Sequence, residues 1–118
     1  NPLLLAGQVH GGVAQGIGQA LMEGVTYDSD GQILAGSFLD YCMPRADDLP
    51  MIETSDFVEA CQTNPLGVKG GGESGTVGSI ASAVNAIVDA LSEYGVKDID
   101  MPVTPLRVWE AIQAGKAA

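Results

Sequence analysis

Sixteen glycines in a chain of 118 residues constrain the fold through where they sit. One group runs Gly7-Gln8-Val9-His10-Gly11-Gly12-Val13-Ala14-Gln15-Gly16-Ile17-Gly18, the other Gly67-Val68-Lys69-Gly70-Gly71-Gly72-Glu73-Ser74-Gly75. Each reads as a glycine-rich loop feeding a helix. Such a loop turns backbone N–H groups toward a ligand, with the positive end of the helix dipole behind them. From Gly12 to about Val25, apolar Val13, Ile17, Ala20, Leu21 and Val25 recur at helical spacing, with Gly16 and Gly18 inside the run. Glycine within a helix costs roughly 1 kcal/mol relative to alanine. Two of them predict that another helix or a ligand comes close to this backbone.

A second apolar stripe comprises Val77, Ile80, Ala81, Val84, Ile87, Val88 and Leu91, with Thr76 as the expected N-cap and Gly95 just past the end. A third helix is expected from Pro105 to about Ala114, with Thr104 as N-cap and Leu106, Val108, Trp109 and Ile112 as its buried face. Val25-Thr26-Tyr27 and Gln32-Ile33-Leu34 flank Asp28-Ser29-Asp30-Gly31 and read as a hairpin. Met51 to Ala60 is expected as a further strand, and Asp40 to Pro50 as a surface loop. Together these predict an α+β class: three helices packed with a small, mainly antiparallel sheet. The length suits one small unit, residues 1–118, and 46% hydrophobic residues exclude compositional disorder. The chain opens on Asn1 rather than Met and runs into Leu3-Leu4-Leu5 without evident helix-start punctuation. It is therefore expected to be a piece of a longer polypeptide.

The formal net charge of −10 repels phosphate backbones and anionic headgroups, arguing against nucleic-acid and membrane-surface partners. No apolar run is long enough to span a bilayer. Cys42 and Cys61 read as two reduced thiols of a cytoplasmic protein. With one histidine and no Cys-x-x-Cys, an autonomous zinc or iron–sulfur site is not expected.

The second glycine segment carries the more informative chemistry. Gly70 to Gly75 fits G-x-G-x-x-G, with Glu93 following at about the distance of a ribose-binding acid. Asn64-Pro65-Leu66-Gly67 is a poor buried strand, however, and Thr76 stands where a P-loop needs lysine. A glycine-loop nucleotide-binding domain thus remains a competing reading, as does a non-catalytic fragment or interaction module. A carboxylate in a phosphate cradle would repel the phosphate. Glu73 among its glycines suggests a loop that presents a carboxylate to something else, as a general base would be presented. An exposed turn glutamate is the alternative.

Taken together, Gly7-Gln8-x-His10-Gly11-Gly12-x-Ala14-Gln15-Gly16-x-Gly18-x-Ala20-Leu21 resembles a cofactor-binding segment of the molybdenum hydroxylase large subunits. Gly67-Val68-Lys69-Gly70-x-Gly72-Glu73-x-Gly75 resembles their catalytic glutamate loop. Gly36-Ser37-Phe38-Leu39-Asp40-Tyr41, Met43-Pro44-x-Ala46-Asp47 and Asp100-Met101-Pro102-x-Thr104-Pro105 are similar to the family in the same order. The resemblance implies the C-terminal segment of a molybdopterin-binding catalytic domain in the xanthine dehydrogenase, aldehyde oxidase and carbon monoxide dehydrogenase family. It implies a molybdenum–molybdopterin cofactor, in its cytosine dinucleotide form, with 2Fe-2S clusters and FAD on partner subunits or domains. Glu73 would be the base that takes a proton from metal-bound hydroxide, near the cofactor but not a metal ligand. Gln8 would hydrogen-bond the metal's ligands or the pterin, since an amide donates without competing as a base. His10 and Gly11 would line the pocket, and Lys69 would face a carboxylate or the pterin phosphate. Gly70, Gly71 and Gly72 would let the backbone run close beside the cofactor. The substrate would be an aldehyde, an N-heterocycle or carbon monoxide, chosen largely by residues outside this segment. The segment alone is expected to be inactive, and its apolar faces to seek the rest of the large subunit or to oligomerise.

Overall fold

The computed structural model describes residues 1–116. Three helices carry the architecture: α1 (Pro2–Leu21), α2 (Ser74–Ala90) and α3 (Pro105–Lys116). Short 3-10 turns lie at Ala46–Asp48 and Ser92–Tyr94.

Helix α1 begins ten residues before the expected Gly12, so the first glycine group lies within a helix rather than in a loop ahead of one. The cause is local, and it was readable. The Asn1 side chain accepts from the Leu3 N–H at 3.0 Å, and Pro2 occupies the first helical position. Helix α2 starts at Ser74 with Glu73 as N-cap, slightly before the expected Thr76. Helix α3 begins at Pro105 as expected, with the Thr104 hydroxyl accepting from the Arg107 N–H at 3.4 Å.

The two long helices meet through missing side chains. A Cβ added at Gly12 would lie 3.0 Å from the Thr76 nitrogen and 3.1 Å from the Gly75 Cα. One added at Gly75 would lie 2.6 Å from the Val9 carbonyl oxygen and 2.9 Å from the Val13 nitrogen. Gly16 likewise faces Thr76 and Ser79. Of the two glycines expected to admit a close neighbour, Gly16 thus admits α2. Gly18 instead accommodates Pro44, whose ring carbons would stand 2.7 Å from an added Cβ.

The expected α+β class is not what forms. No strand or sheet occurs among the described residues; one isolated antiparallel bridge joins Tyr27 and Ile33. The turn itself is well made. Asp28 Oδ1 accepts from the N–H groups of Asp30 (2.9 Å) and Gln32 (2.8 Å), and Gly31 adopts φ +80°. What is absent is anything for its arms to pack on. Val25, Tyr27, Ile33 and Leu34 are all exposed, and an unsupported two-stranded hairpin is marginal in water. The segment Met51 to Ala60 carries strand-like residues but finds no pairing strand, leaving Phe57 96% exposed.

The buried apolar core is small: Ala20, Leu91, Val96 and Val103. The face of α3 expected to be buried is covered only in part: Val108 and Ile112 are half-buried, while Leu106 and Trp109 are exposed. That helix is held by its approach instead. The Val103 N–H donates to the Ala20 carbonyl at 2.6 Å, the Arg107 guanidinium donates to the Asp100 and Met101 carbonyls, and the Gly115 backbone lies against Tyr94. The Cα radius of gyration is 18.0 Å, against about 13.5 Å for a compact domain of this length. Accessible surface is 8862 Å², against roughly 6,000 Å² for a folded monomer of this mass. Much of the apolar surface therefore lies uncovered.

The glycine crossing makes a sharp stability prediction. Gly75→Ala places a methyl against backbone and should destabilise by about 1–3 kcal/mol. Gly78→Ala, where an added Cβ meets nothing within 4 Å, should instead stabilise α2 by about 0.5–1 kcal/mol. Urea titration of this chain followed by helical circular dichroism checks both signs.

Candidate functional site

Gln8, Gly12 and Gly16 recur every fourth residue and so share one face of α1. Gly12 and Gly16 take the first turns of α2, and Gln8, a turn earlier, reaches past its start. The Gln8 Nε2 donates to the Gly72 carbonyl at 2.8 Å, across 64 residues of sequence. This bond joins the two glycine-rich segments.

Around it, the Ser74 hydroxyl donates to the Gly71 carbonyl at 3.2 Å, and Gly71 lies against Leu5, 3.2 Å from an added Cβ. Gly70 and Gly72 face open space. Glu73 sits at the α2 N-cap with φ −105° and ψ −5°, its side chain exposed and making no capping bond, while its carbonyl accepts from the Val77 N–H at 3.0 Å. Gly70, Gly72, Glu73, Ser74 and Val77 line a shallow depression of about 400 Å³. It offers a free carboxylate, helix N-terminal N–H groups and a glycine edge with no side chain in the way.

Other expected site residues fall elsewhere. Lys69 is exposed and lines a neighbouring depression of about 470 Å³ that also includes Asp56 and Glu59. Gly70 and Gly71 border that depression too. His10 and Gly11 line neither depression. Gly11 is exposed on α1, and the Nε2 of half-buried His10 is enclosed without a hydrogen-bond partner, unlike a satisfied structural histidine. Leu5 and Ser74 were not anticipated at the site. Ser74, directly after the carboxylate at a helix start, was the available signal for one of them. Gly67 closes a turn on Asn64 at 2.8 Å with φ +67°, so no strand precedes the loop as a dinucleotide fold would need.

A second polar cluster lies at the other end of α1. The Tyr41 hydroxyl donates to the Glu23 carboxylate, and that bond, with some desolvation and the carboxylate's charge, raises the phenol above its ordinary value. Cys42 and Cys61 are both free thiols. The hydroxyl and backbone of Thr63 hold the Cys61 thiol below its ordinary value.

Residues 1–50 match the molybdopterin cofactor-binding domain family. The chain is 38% identical, over 96% of its length, to the carbon monoxide dehydrogenase large chain of Hydrogenophaga pseudoflava. It is 41% identical, over 94% of its length, to the nicotine 6-hydroxylase large subunit of Paenarthrobacter nicotinovorans. It spans 14% of the length of each. Among solved structures, the Cu,Mo-CO dehydrogenase in its carbon monoxide reduced state superposes with a TM-score of 0.92 at 34% identity, covering 98% of this chain and 15% of that one. The class these matches and the fold define is a helix pair carrying a molybdopterin cofactor-binding segment. The chain belongs to the molybdenum-binding large subunits of the molybdenum hydroxylases.

The residues present fit such a group. The open glycine edge at Gly70 and Gly72 leaves room for a close approach, and the second N–H and the oxygen of the Gln8 amide extend its donor and acceptor set.

The Tyr41 pair gives a titration with a definite sign. The hydrogen bond stabilises the neutral phenol, so its contribution is complete below the ordinary tyrosine range and is lost as pH rises through the folded value. Of the three tyrosines, one should form tyrosinate later than the others in an absorbance titration. Tyr41→Phe should remove that late component and leave the remainder unchanged.

Proposed function

We propose that this chain is the C-terminal segment of the large subunit and forms one wall of its molybdenum cofactor pocket, with Glu73 as the general base. The observation that carries this reading is the Gln8–Gly72 hydrogen bond, which brings the segment matched to cofactor binding alongside the loop bearing the free carboxylate. The subunit would oxidise an aldehyde, an N-heterocycle or carbon monoxide with water-derived oxygen. The relatives' names span carbon monoxide and nicotine, so the substrate class is left to parts of the subunit outside this segment.

When bound, the molybdenum cofactor supplies an acidified, water-derived oxygen and a sink for two electrons. Glu73 accepts the proton at a carboxylate oxygen. Its backbone is fixed at the head of α2, and no capping bond occupies the side chain. Gly70 and Gly72 admit the cofactor edge without steric conflict, and the Gln8 amide adds a donor that does not compete for the proton. Gly71 shapes the same run through its contact with Leu5. Lys69, lining the adjacent depression, is suited to a phosphate of the cofactor's dinucleotide extension, for which the cytosine form is proposed. His10 and Gly11, which the resemblance implies line the pocket, lie on α1 outside both depressions. Electrons would pass on to 2Fe-2S clusters and FAD on partner subunits. No helix among the described residues is long and apolar enough to cross a membrane. A cytoplasmic setting is part of the same reading and accords with the two free thiols.

In the complete subunit, Glu73→Gln should retain molybdenum and pterin while lowering kcat by about 10²–10⁴-fold. Turnover near the parent level would remove Glu73 from the mechanism. Purified alone, the 118-residue chain should show neither bound molybdenum by metal analysis nor turnover, because the uncovered surface described above belongs against the remainder of the subunit.

A further inference from the structure

We propose that Gln8 is a positioning residue for Glu73, acting through the Gly72 carbonyl; this rests on the reading of Glu73 as the base. Gly70, Gly71 and Gly72 form the least restricted stretch of backbone in the chain, since each residue lacks a Cβ. Among the described residues, no backbone–backbone hydrogen bond involves any of the three. Two side chains hold them. One bond is local, from the Ser74 hydroxyl to the Gly71 carbonyl. The other comes from α1, where the Gln8 amide holds the Gly72 carbonyl at 2.8 Å.

The Gly72 carbonyl belongs to the peptide unit that joins Gly72 to Glu73. That unit is planar, so fixing its C=O fixes the direction of the Glu73 N–H and the plane from which Glu73 departs. Rotation of that plane would swing the carboxylate. The strut is stiff because its own base is stiff. Gly12, one turn after Gln8, is pressed against Gly75 and Thr76 of α2, so both ends of the bond ride on one helix crossing. The residue type also matters. Glutamate at this position has no donor when ionised, and asparagine is a methylene shorter. Gln8 lies within residues 1–50, matched to cofactor binding, while Glu73 lies outside them. The amide therefore ties the position of the base to the segment that holds the cofactor.

The test uses the complete large subunit with its partners and cofactor, comparing the parent with Gln8→Met, Glu73→Gln and the double variant. Methionine keeps the volume and removes the donor. Hydrogen exchange of the peptide covering Gly70 to Ser74 should become about tenfold faster in Gln8→Met, with the middle of α2 unchanged. Molybdenum content should hold, kcat should fall about tenfold with KM unchanged, and the double variant should be no slower than Glu73→Gln alone. Additive losses in the double variant, or molybdenum loss with unchanged loop exchange, would overturn the proposal. If Glu73→Gln keeps full turnover, the base reading fails on its own, and the exchange result alone decides whether Gln8 holds the loop.

Discussion

The contact between Gly12 and Gly75 is the constraint on which the rest of the chain depends. Two helices can approach this closely only where neither has a side chain, and any larger residue at either position would drive backbone apart. Because the contact falls at the first turn of α2, it fixes that helix's N-terminus rather than its middle. The glycine run ahead of α2 then emerges beside the Gln8 end of α1. The candidate site thus follows from a packing rule with no chemistry in it: small residues every fourth position on one helix, meeting a glycine at the start of another.

This explains which parts were legible in the sequence. The helix-compatible glycines Gly16 and Gly18 implied a close neighbour, and α2 and Pro44 supply one each. The glycine run feeding a helix at Glu73 was legible as well, and α2 starts directly after that residue. The start of α1 was misjudged although Asn1-Pro2 is a cap followed by a first-turn proline, because the glycines downstream outweighed it. The sheet failed for a different reason. Val25 to Leu34 and Met51 to Ala60 have local strand character, and the Asp28 turn forms, but strand formation needs a paired and covered neighbour. Local sequence reports propensity, whereas pairing is a property of what lies alongside. Lys69, which the resemblance implies faces a carboxylate or the pterin phosphate, lines a different depression from Glu73.

The uncovered surface bears on the chemistry as well as on stability. Leu3, Leu4, Phe57, Leu66, Val68 and Val77 are exposed, and two of these, Phe57 and Val77, line the two glycine depressions. Surface of this kind in a folded segment belongs in an interface. The chain spans 14% of the relatives' length, which leaves ample polypeptide to cover it.

Geometry and environment are accordingly divided between this chain and what surrounds it. On the proposed reading of Glu73 as a general base, the carboxylate must be held within reach of its proton, and that requirement falls on short-range features present here: the α2 cap, the glycine run and the Gln8–Gly72 hydrogen bond. It must also work where water does not compete for the same proton, and nothing within residues 1–116 excludes water from Glu73, which is exposed. The first requirement is met by backbone contacts that tolerate almost no substitution, and the second by apolar surface waiting to be covered. On that proposal the position of the carboxylate is set inside the chain, while the medium in which it acts would be set by whatever covers Val77 and Gly72.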